Sequence, residues 1–227
     1  MSDALKVAIV GYKFMGKAHS NAYHKAGRFF DLPVEVQLQT ACGRHEAGLA
    51  EFAQRWGWQE TATSWREVIE RDDIDIVDIS SPTDTHCEIA KAAAAAGKHI
   101  LCEKPMALSA AEALEMCRAV KQAGVTHAIG HNYRRVPAIR LAKQMIEEGQ
   151  LGEIYHWRGT YLQDWIVDPE FPLTWHLQQE RAGYGPHGDL NSHSVDLARY
   201  LIGEITTAQS TMAQFIKQRP LPDEERE

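Results

Sequence analysis

Lys104 stands between Glu103 and Pro105, directly after the short run His99–Cys102, while Asp189 and His193 lie four residues apart in a stretch with helical spacing. Together these side chains suit proton chemistry at a hydroxyl. An imidazole titrates near neutrality and can act as a general base. An ammonium donating to the same oxygen stabilises the negative charge that develops on it. Asp189 would bond the substrate or orient the pair. Blander readings stand beside these: Lys104 as a solvated loop lysine next to Glu103, and His193 as a satisfied histidine on a core-facing helix. His187, Asp189 and His193 could also hold a metal, but that needs a further ligand and the two-histidine helix motif with an adjacent glutamate is missing, so no metal is expected.

The elements that must position Lys104 alternate strand with helix. Leu5 to Val10 is an apolar run interrupted by Lys6, followed by Gly11, Gly16 and a helical pattern through Ala18, Ala22 and Tyr23. Val36 to Cys42 predicts a second strand and Arg44 to Arg55 a helix ending at Gly57; Asp75 to Ser80 predicts a third strand and Asp84 to Ala96 a helix ending at Gly97. After the fourth strand, His99 to Cys102, Ser109 with Glu112 forms a capping box for a helix that stops before Gly124, and Val125 to Ile129 supplies another strand. Such alternation implies a parallel sheet with helices on both faces, whose ligands sit beyond the carboxyl ends of the strands. Lys104 emerges at one of those ends. Pro105 biases it away from helix and presents it from a stiff turn.

The first turn, Gly11, Tyr12, Lys13, Phe14, Met15, Gly16, has the frame of a dinucleotide fingerprint with Lys13 in place of the middle glycine. A helix amino terminus there suits a pyrophosphate. Glycines serving the turn alone would leave the same trace. The second strand ends in Cys42, Gly43, Arg44, His45, with a guanidinium and no carboxylate in the turn, which favours NADP over NAD. Arg44 could equally be a solvated first-turn residue.

The formal net charge of −7, without a long Lys/Arg block, gives no electrostatic footprint for nucleic acid or an anionic membrane. Cys42, Cys87, Cys102 and Cys117 occur singly, and Met1 to Lys6 lacks the regions of a secretory signal. Reduced thiols in a cytoplasmic protein are expected.

The second half changes pattern. Pro137 to Glu148 predicts an amphipathic helix closed by Gly149, Glu153 to Tyr161 alternates as a strand with Tyr155 and Trp157 on an aromatic face, and Ile205 to Ile216 suggests another strand. Gln163 and Trp175 lie in the loop between Tyr161 and Tyr184, where an amide and an aromatic face could line a pocket. Gly183, Tyr184, Gly185 and Pro186 open the helix that carries Asp189 and His193. The fold expected is α/β: a Rossmann-type parallel-sheet domain over residues 1–130, then an incomplete α+β domain over residues 131–227 built on an open, mainly antiparallel sheet.

Gly11 to His19, Ser81-Pro82 with His86, Gly97 to Pro105, Asn132-Tyr133-Arg134-Arg135, and Asp189 with His193 occur in an order that resembles the Gfo/Idh/MocA oxidoreductases. The run Gly159 to Trp165 looks most like the levoglucosan and inositol dehydrogenase branch of that family. The resemblance implies an NAD(P)-dependent oxidation or reduction of a sugar or polyol. It implies that Lys104, Asp189 and His193 are catalytic, and that Gly11, Lys13, Phe14, Met15, Gly16, Gly43, Arg44, Ser81, Pro82, His86, Glu103 and Lys104 hold the cofactor. Asn132, Tyr133, Gln163 and Trp175, with Asp189 and His193, would meet the substrate. A homo-oligomer joined through the second domain's sheet is expected. The 97 residues left after the sheet domain (227 minus 130) are few for the family's second domain, so the chain is expected to be a fragment. The resemblance also leaves room for a redox-assisted glycoside hydrolase and for a non-catalytic cofactor-binding regulator.

Overall fold

The computed structural model describes residues 4–183 and 185–222, and the chain divides into two compact units, Met1–Gly130 and His131–Glu227. Tyr184 and the last residues of the tail, where the sequence reading also placed structure or charge, lie outside the described residues.

In the first unit, β1 (Leu5–Val10) leads into α1 (Phe14–Phe29), β2 (Val36–Cys42) into α2 (Glu46–Trp56), and β3 (Glu60–Ala62) into α3 (Trp65–Ile69). Then come β4 (Ile76–Ile79), α4 (His86–Ala95), β5 (His99–Cys102), α5 (Ala110–Ala123) and β6 (His127–Ile129). All strand pairs are parallel, in the order β3-β2-β1-β4-β5-β6. β1 is apolar over both faces because helices cover both. Val7, Ile9 and Ala41 pack with Leu49 and Phe52 of α2 on one side. Ala8, Val10 and Val77 pack with Ile89, Ala93 and Met116 of α4 and α5 on the other.

Turn chemistry agrees with the sequence at most boundaries. Ser109 accepts from the Glu112 N–H at 3.2 Å, the Glu112 carboxylate takes the Leu108 N–H at 2.9 Å, and α5 ends on Gly124 in the left-handed region at φ 67°. Two elements escaped the periodicity. β3 is a three-residue edge strand and α3 a single short turn of helix opened by Ser64, both too brief to set up a period. The helix expected from Asp84 begins as a 3-10 turn, Thr83–Thr85, and turns α-helical at His86.

The second unit holds α6 (Pro137–Glu147), α7 (Gln179–Ala182), a π-helical turn at His187–Asn191 and α8 (Ser192–Leu201). The expected strands Glu153–Tyr161 and Ile205–Ile216 carry no ladder among the described residues, where the antiparallel sheet anticipated here is not seen. Alternation fixes which side chains share a face, but a strand exists only against a neighbour that takes up its N–H and C=O groups. Other bonds hold these segments: Arg219 donates to the carbonyls of Ile166 at 2.6 Å, Asp168 at 2.8 Å and Phe171 at 3.1 Å, and the Leu173 N–H reaches the Pro220 carbonyl at 2.8 Å.

Gly11 has φ 104°, and a Cβ there would lie 2.5 Å from the Ser80 backbone; Gly97, at φ 72°, has nothing within 4 Å. Gly97→Ala should therefore cost about 1 kcal/mol from left-handed backbone alone, and Gly11→Ala about 2–3 kcal/mol more because backbone must move. Denaturant midpoints for the two variants check this ordering.

Candidate functional site

Within the first unit, the register at the carboxyl ends of the strands decides what lies together. Val10 pairs with Cys42 and with Ile79, and Ile79 pairs with Cys102. Each strand then gives one more backbone bond past its end: Gly11 N–H to the Cys42 carbonyl at 2.9 Å, Ser80 N–H to Val10 at 2.8 Å, Glu103 N–H to Ile79 at 2.9 Å and Gly130 N–H to Cys102 at 2.8 Å. Gly11, Gly43, Ser81 and Lys104 consequently leave one edge of the sheet side by side. The edge is split where the order reverses, between β1 and β4, the place where such sheets take ligands.

α1 begins at that split. Its N-cap, Lys13, makes no side-chain cap bond, and its first turn has no acidic residue. The amino-terminal N–H groups are thus left to an anion, and the dipole favours one. Gly16 is buried with room only for hydrogen, since a Cβ would lie 2.3 Å from the Gly11 carbonyl. The middle position needs no glycine for a positive φ, because Lys13 sits at φ −75°. Phe14 is exposed, Met15 half-buried, and Lys13 lies over the Tyr12 ring, 5.5 Å from its centroid. Tyr12, which the sequence did not single out, packs against Gly43 and Gly48, where added Cβ atoms would meet its ring or hydroxyl at 2.4 and 3.2 Å. Arg44 is exposed at the end of β2.

Two residues expected on the cofactor are turned inward instead. His86 is buried, with Nδ1 3.0 Å from the Pro105 carbonyl and Nε2 2.8 Å from the Ser81 carbonyl; burial holds its pKa below the usual histidine value, against the pull of those carbonyls. It braces the Ser81-Pro82 turn against the Lys104–Pro105 turn, whose peptide bond is cis. Glu103 is also buried, with Oε1 3.0 Å from His19 Nε2 and Oε2 accepting the Lys104 N–H at 3.1 Å. Both side chains position the edge; neither is left to face a ligand.

His19 is the residue the sequence reading passed over. Its Nδ1 lies 2.9 and 2.8 Å from the two Asp78 oxygens, which also accept from Ser80 Oγ and Tyr23 OH, each at 2.9 Å. Burial works against charge on the ring, but the bonds to Asp78 and Glu103 outweigh it and raise the pKa to about 10. An aspartate inside the apolar run Ile76–Ile79 was the available signal, since a buried carboxylate demands a partner.

A cleft of about 500 Å³ lies elsewhere in this unit, between α2, β3 and α3, lined by Leu49, Thr61, Thr63, Glu67 and Arg71 among others. Arg71 there is tied to Glu60 and Asp73. The chemistry-bearing residues are not in it.

In the second unit His193 is buried in α8, just after the π-turn that contains Asp189. Its ring is stacked on Tyr133 (centroids 4.2 Å apart, 19° between planes), edge-on to His131 at 5.9 Å and beside Tyr161 at 6.1 Å. Tyr133 and Tyr161 share a hydroxyl bond of 2.7 Å, which with burial pushes the Tyr133 phenol up to about 12. Gln163 donates from Nε2 to Tyr161 OH at 3.1 Å and accepts the Trp165 Nε1–H on Oε1 at 2.8 Å; Trp165 meets His176 edge-on, and His176 stacks on Trp175 at 3.7 Å. One run of contacts therefore joins His193, Tyr133, Gln163 and Trp175. Tyr133 spends its ring on His193 and its hydroxyl on Tyr161, so it shapes the imidazole's surroundings more directly than a substrate's. Asn132 is exposed at the start of a 3-10 turn, and Asp189 is half-buried. Arg134 anchors that turn to α8 through Asp196, with bonds of 2.7 and 2.5 Å.

A six-stranded parallel sheet of this order, with an uncapped, acid-free helix start at its switch point, defines the dinucleotide-binding class of α/β proteins. The chain belongs to the Gfo/Idh/MocA oxidoreductase family: the profile of its NAD-binding Rossmann fold matches residues 5–131, and a C-terminal domain profile of the family matches residues 139–225. The chain is 46% identical over 221 residues to levoglucosan dehydrogenase of Pseudarthrobacter phenanthrenivorans, covering 96% of this chain and 56% of that protein. With myo-inositol 2-dehydrogenase of Thermotoga maritima it shares 33% identity over 200 residues, covering 88% of this chain and 55% of that protein. A solved levoglucosan dehydrogenase in complex with NADH and levoglucosan superposes with a TM-score of 0.94 at 44% identity, covering 96% of this chain and 60% of that one. The chain thus spans a little over half the length of these relatives.

His19 gives the fold a pH dependence. Its pKa in the folded protein, about 10, stands above the ordinary histidine value near 6.5, so its contribution to stability is complete below about pH 6.5 and is lost as pH rises through 10. Melting temperature should fall across that window, and His19→Gln should flatten the fall.

Proposed function

We propose that the protein is an NAD(P)-dependent dehydrogenase of a sugar or polyol secondary alcohol. The observation that carries this reading is the shared register that brings Gly11, Gly43, Ser81 and Lys104 to one sheet edge beside the start of α1. The cradle fits a dinucleotide: hydrogen-only glycines at the close approach, helix N–H groups for the pyrophosphate, Lys13 beside them, and Phe14 and Met15 in the first turn. Gly43 and Arg44 would receive the adenosine ribose, and Ser81 and Pro82 the nicotinamide end. When bound, the cofactor supplies the hydride acceptor or donor. His193 acts as general base on the alcohol, and the Lys104 ammonium stabilises the negative charge developing on the oxygen. Tyr133 holds the imidazole plane by stacking, Asp189 orients the substrate, and Asn132, Gln163 and Trp175 bond or face the neighbouring hydroxyls and ring.

The levoglucosan and inositol dehydrogenases among the relatives support a cyclic polyol or anhydrosugar as substrate. The NADH in the solved relative supports NAD as one cofactor, while Arg44 at the end of β2 supports NADP as the preferred one. Residues 1–130 form the cofactor domain in this reading, and residues 131–227 belong to the substrate domain. The antiparallel sheet of that domain is part of the proposal and would pair subunits into a homo-oligomer; exposed Tyr155, Leu162, Met212 and Phe215 on the extended segments support it. A cytoplasmic setting is supported by four free cysteines. Among the described residues no helix is long and apolar enough to cross a membrane.

A panel of polyols and anhydrosugars assayed at 340 nm with each cofactor tests the reading. Lys104→Ala and His193→Ala should each lower kcat by roughly 100-fold or more while leaving cofactor affinity nearly unchanged. Release of free sugar without net cofactor turnover would point to the redox-assisted hydrolase, and cofactor binding without any turnover to the regulator. Arg44→Ala should lower kcat/KM with NADP by about 10-fold, the loss of one charge-assisted bond, and leave the value with NAD unchanged.

A further inference from the structure

We propose that His19 is a positioning residue for Lys104, acting through Glu103: its imidazole holds the Glu103 carboxylate where that group accepts the Lys104 backbone N–H, and so fixes the turn that presents the Lys104 amine. The proposal rests on the catalytic reading of Lys104 given above.

Two buried carboxylates face the imidazole from different elements. Asp78 of β4 is fully enclosed and Glu103, just past β5, is 5% exposed. The carboxylates differ in what else they hold. Asp78 accepts from His19 and from the hydroxyls of Tyr23 and Ser80. Glu103 accepts from His19 at one oxygen and from the Lys104 N–H at the other. Losing His19 leaves Asp78 with two neutral donors, whereas Glu103 loses its side-chain cation and keeps only the amide it is meant to restrain, among the bonds of the described residues. Space is fitted to this arrangement as well. A Cβ on Gly130 would lie 2.4 Å from Glu103 Oε1, so the glycine leaves the carboxylate room to lie between the end of β6 and His19. A charged ring at His19, raised toward about 10 by the same bonds, stays protonated through the neutral range. A turn held in this way is over-determined, and displacement of a catalytic group by about 1 Å can cost roughly 100-fold in rate.

The two amide replacements separate positioning from mere support. A glutamine amide reaches the place of Nε2 and can still donate to Glu103; an asparagine amide reaches the place of Nδ1 and can still donate to Asp78. In the full chain, His19→Gln should keep kcat within about 5-fold of wild type and His19→Asn should lose about 50–100-fold, with cofactor affinity by calorimetry unchanged in both. A brace for Asp78 alone predicts the reverse order. Exchange of the Lys104 amide hydrogen gives a readout independent of turnover: protection should persist in His19→Gln and fall about 10-fold in His19→Asn. Gly130→Ala displaces Glu103 with His19 intact and should lower Lys104 protection and kcat as His19→Asn does, which decides the matter if His19→Asn does not fold. Tyr23→Phe, which keeps the ring's core packing and removes a bond to Asp78 and none to Glu103, should leave Lys104 protection at the wild-type value. Equal Lys104 protection in the two His19 variants, or more turnover in His19→Asn than in His19→Gln, overturns the proposal. A wild-type chain that turns over no alcohol yet shows the predicted exchange pattern would sink the catalytic reading and leave the His19–Glu103–Lys104 linkage standing.

Discussion

The parallel register of the central sheet is the constraint from which the rest of the first unit follows. Because β1, β2, β4 and β5 run the same way and pair Val10 with Cys42 and Ile79, and Ile79 with Cys102, their exits cannot be staggered. Each exit is then held by one more backbone bond. A slip of one residue in β5 would exchange the faces of Cys102 and Glu103 and turn Lys104 to the other side of the sheet. Apolar burial opposes the slip: Val77, Ile79, Ile100 and Cys102 are enclosed in one core cluster on one face of the sheet, and a shift by one residue would turn those of β5 out of it. Hydrophobic packing, which is indifferent to chemistry, thereby sets the address of the ammonium.

Charge is then fitted beneath that edge. Asp78 and Glu103 would each be costly to bury alone. Placed on either side of His19 they become one hydrogen-bonded unit with hydroxyls of Tyr23 and Ser80, and the carboxylates force the ring to stay charged. The same carboxylates drive neighbouring acids toward their neutral forms: burial first, and then Asp78, raises the Tyr23 phenol, and burial with Glu103 raises the Cys102 thiol. Cys102 is thus a core residue with no reactive role. What sits under the edge is a protonated ring bonded on both sides by carboxylates, a fit base for the turn that carries Lys104.

How far the sequence carried this picture depends on the range of the forces involved. Local signals held: the apolar runs of β1, β4 and β5, and the Ser109–Glu112 cap with Gly124, are fixed by neighbours within a turn or two. β3 and α3 were invisible because so few residues cannot express a period. Glu103 and His86 were legible as residues of the site but not as inward-facing ones, since their partners His19, Ser81 and Pro105 are set by the sheet's closure. The alternation of Glu153 to Tyr161 names a face and no more, because only a neighbouring strand makes a ladder and none pairs with it among the described residues.

The surroundings of His193 show the same division of labour in a different material. A histidine in the proposed role of general base could not be clamped between carboxylates as His19 is, for a ring held at about 10 would not release its proton near neutrality. Around His193 the structure places aromatic faces and phenols, Tyr133 stacked at 4.2 Å and Tyr161 beside it, which hold the plane of the ring. The nearby carboxylate of α8, Asp196, is taken up by Arg134. One histidine is thereby held between carboxylates and fixes a turn, while the other has its plane set by stacked aromatic rings, the kind of hold that the proposed base role asks for.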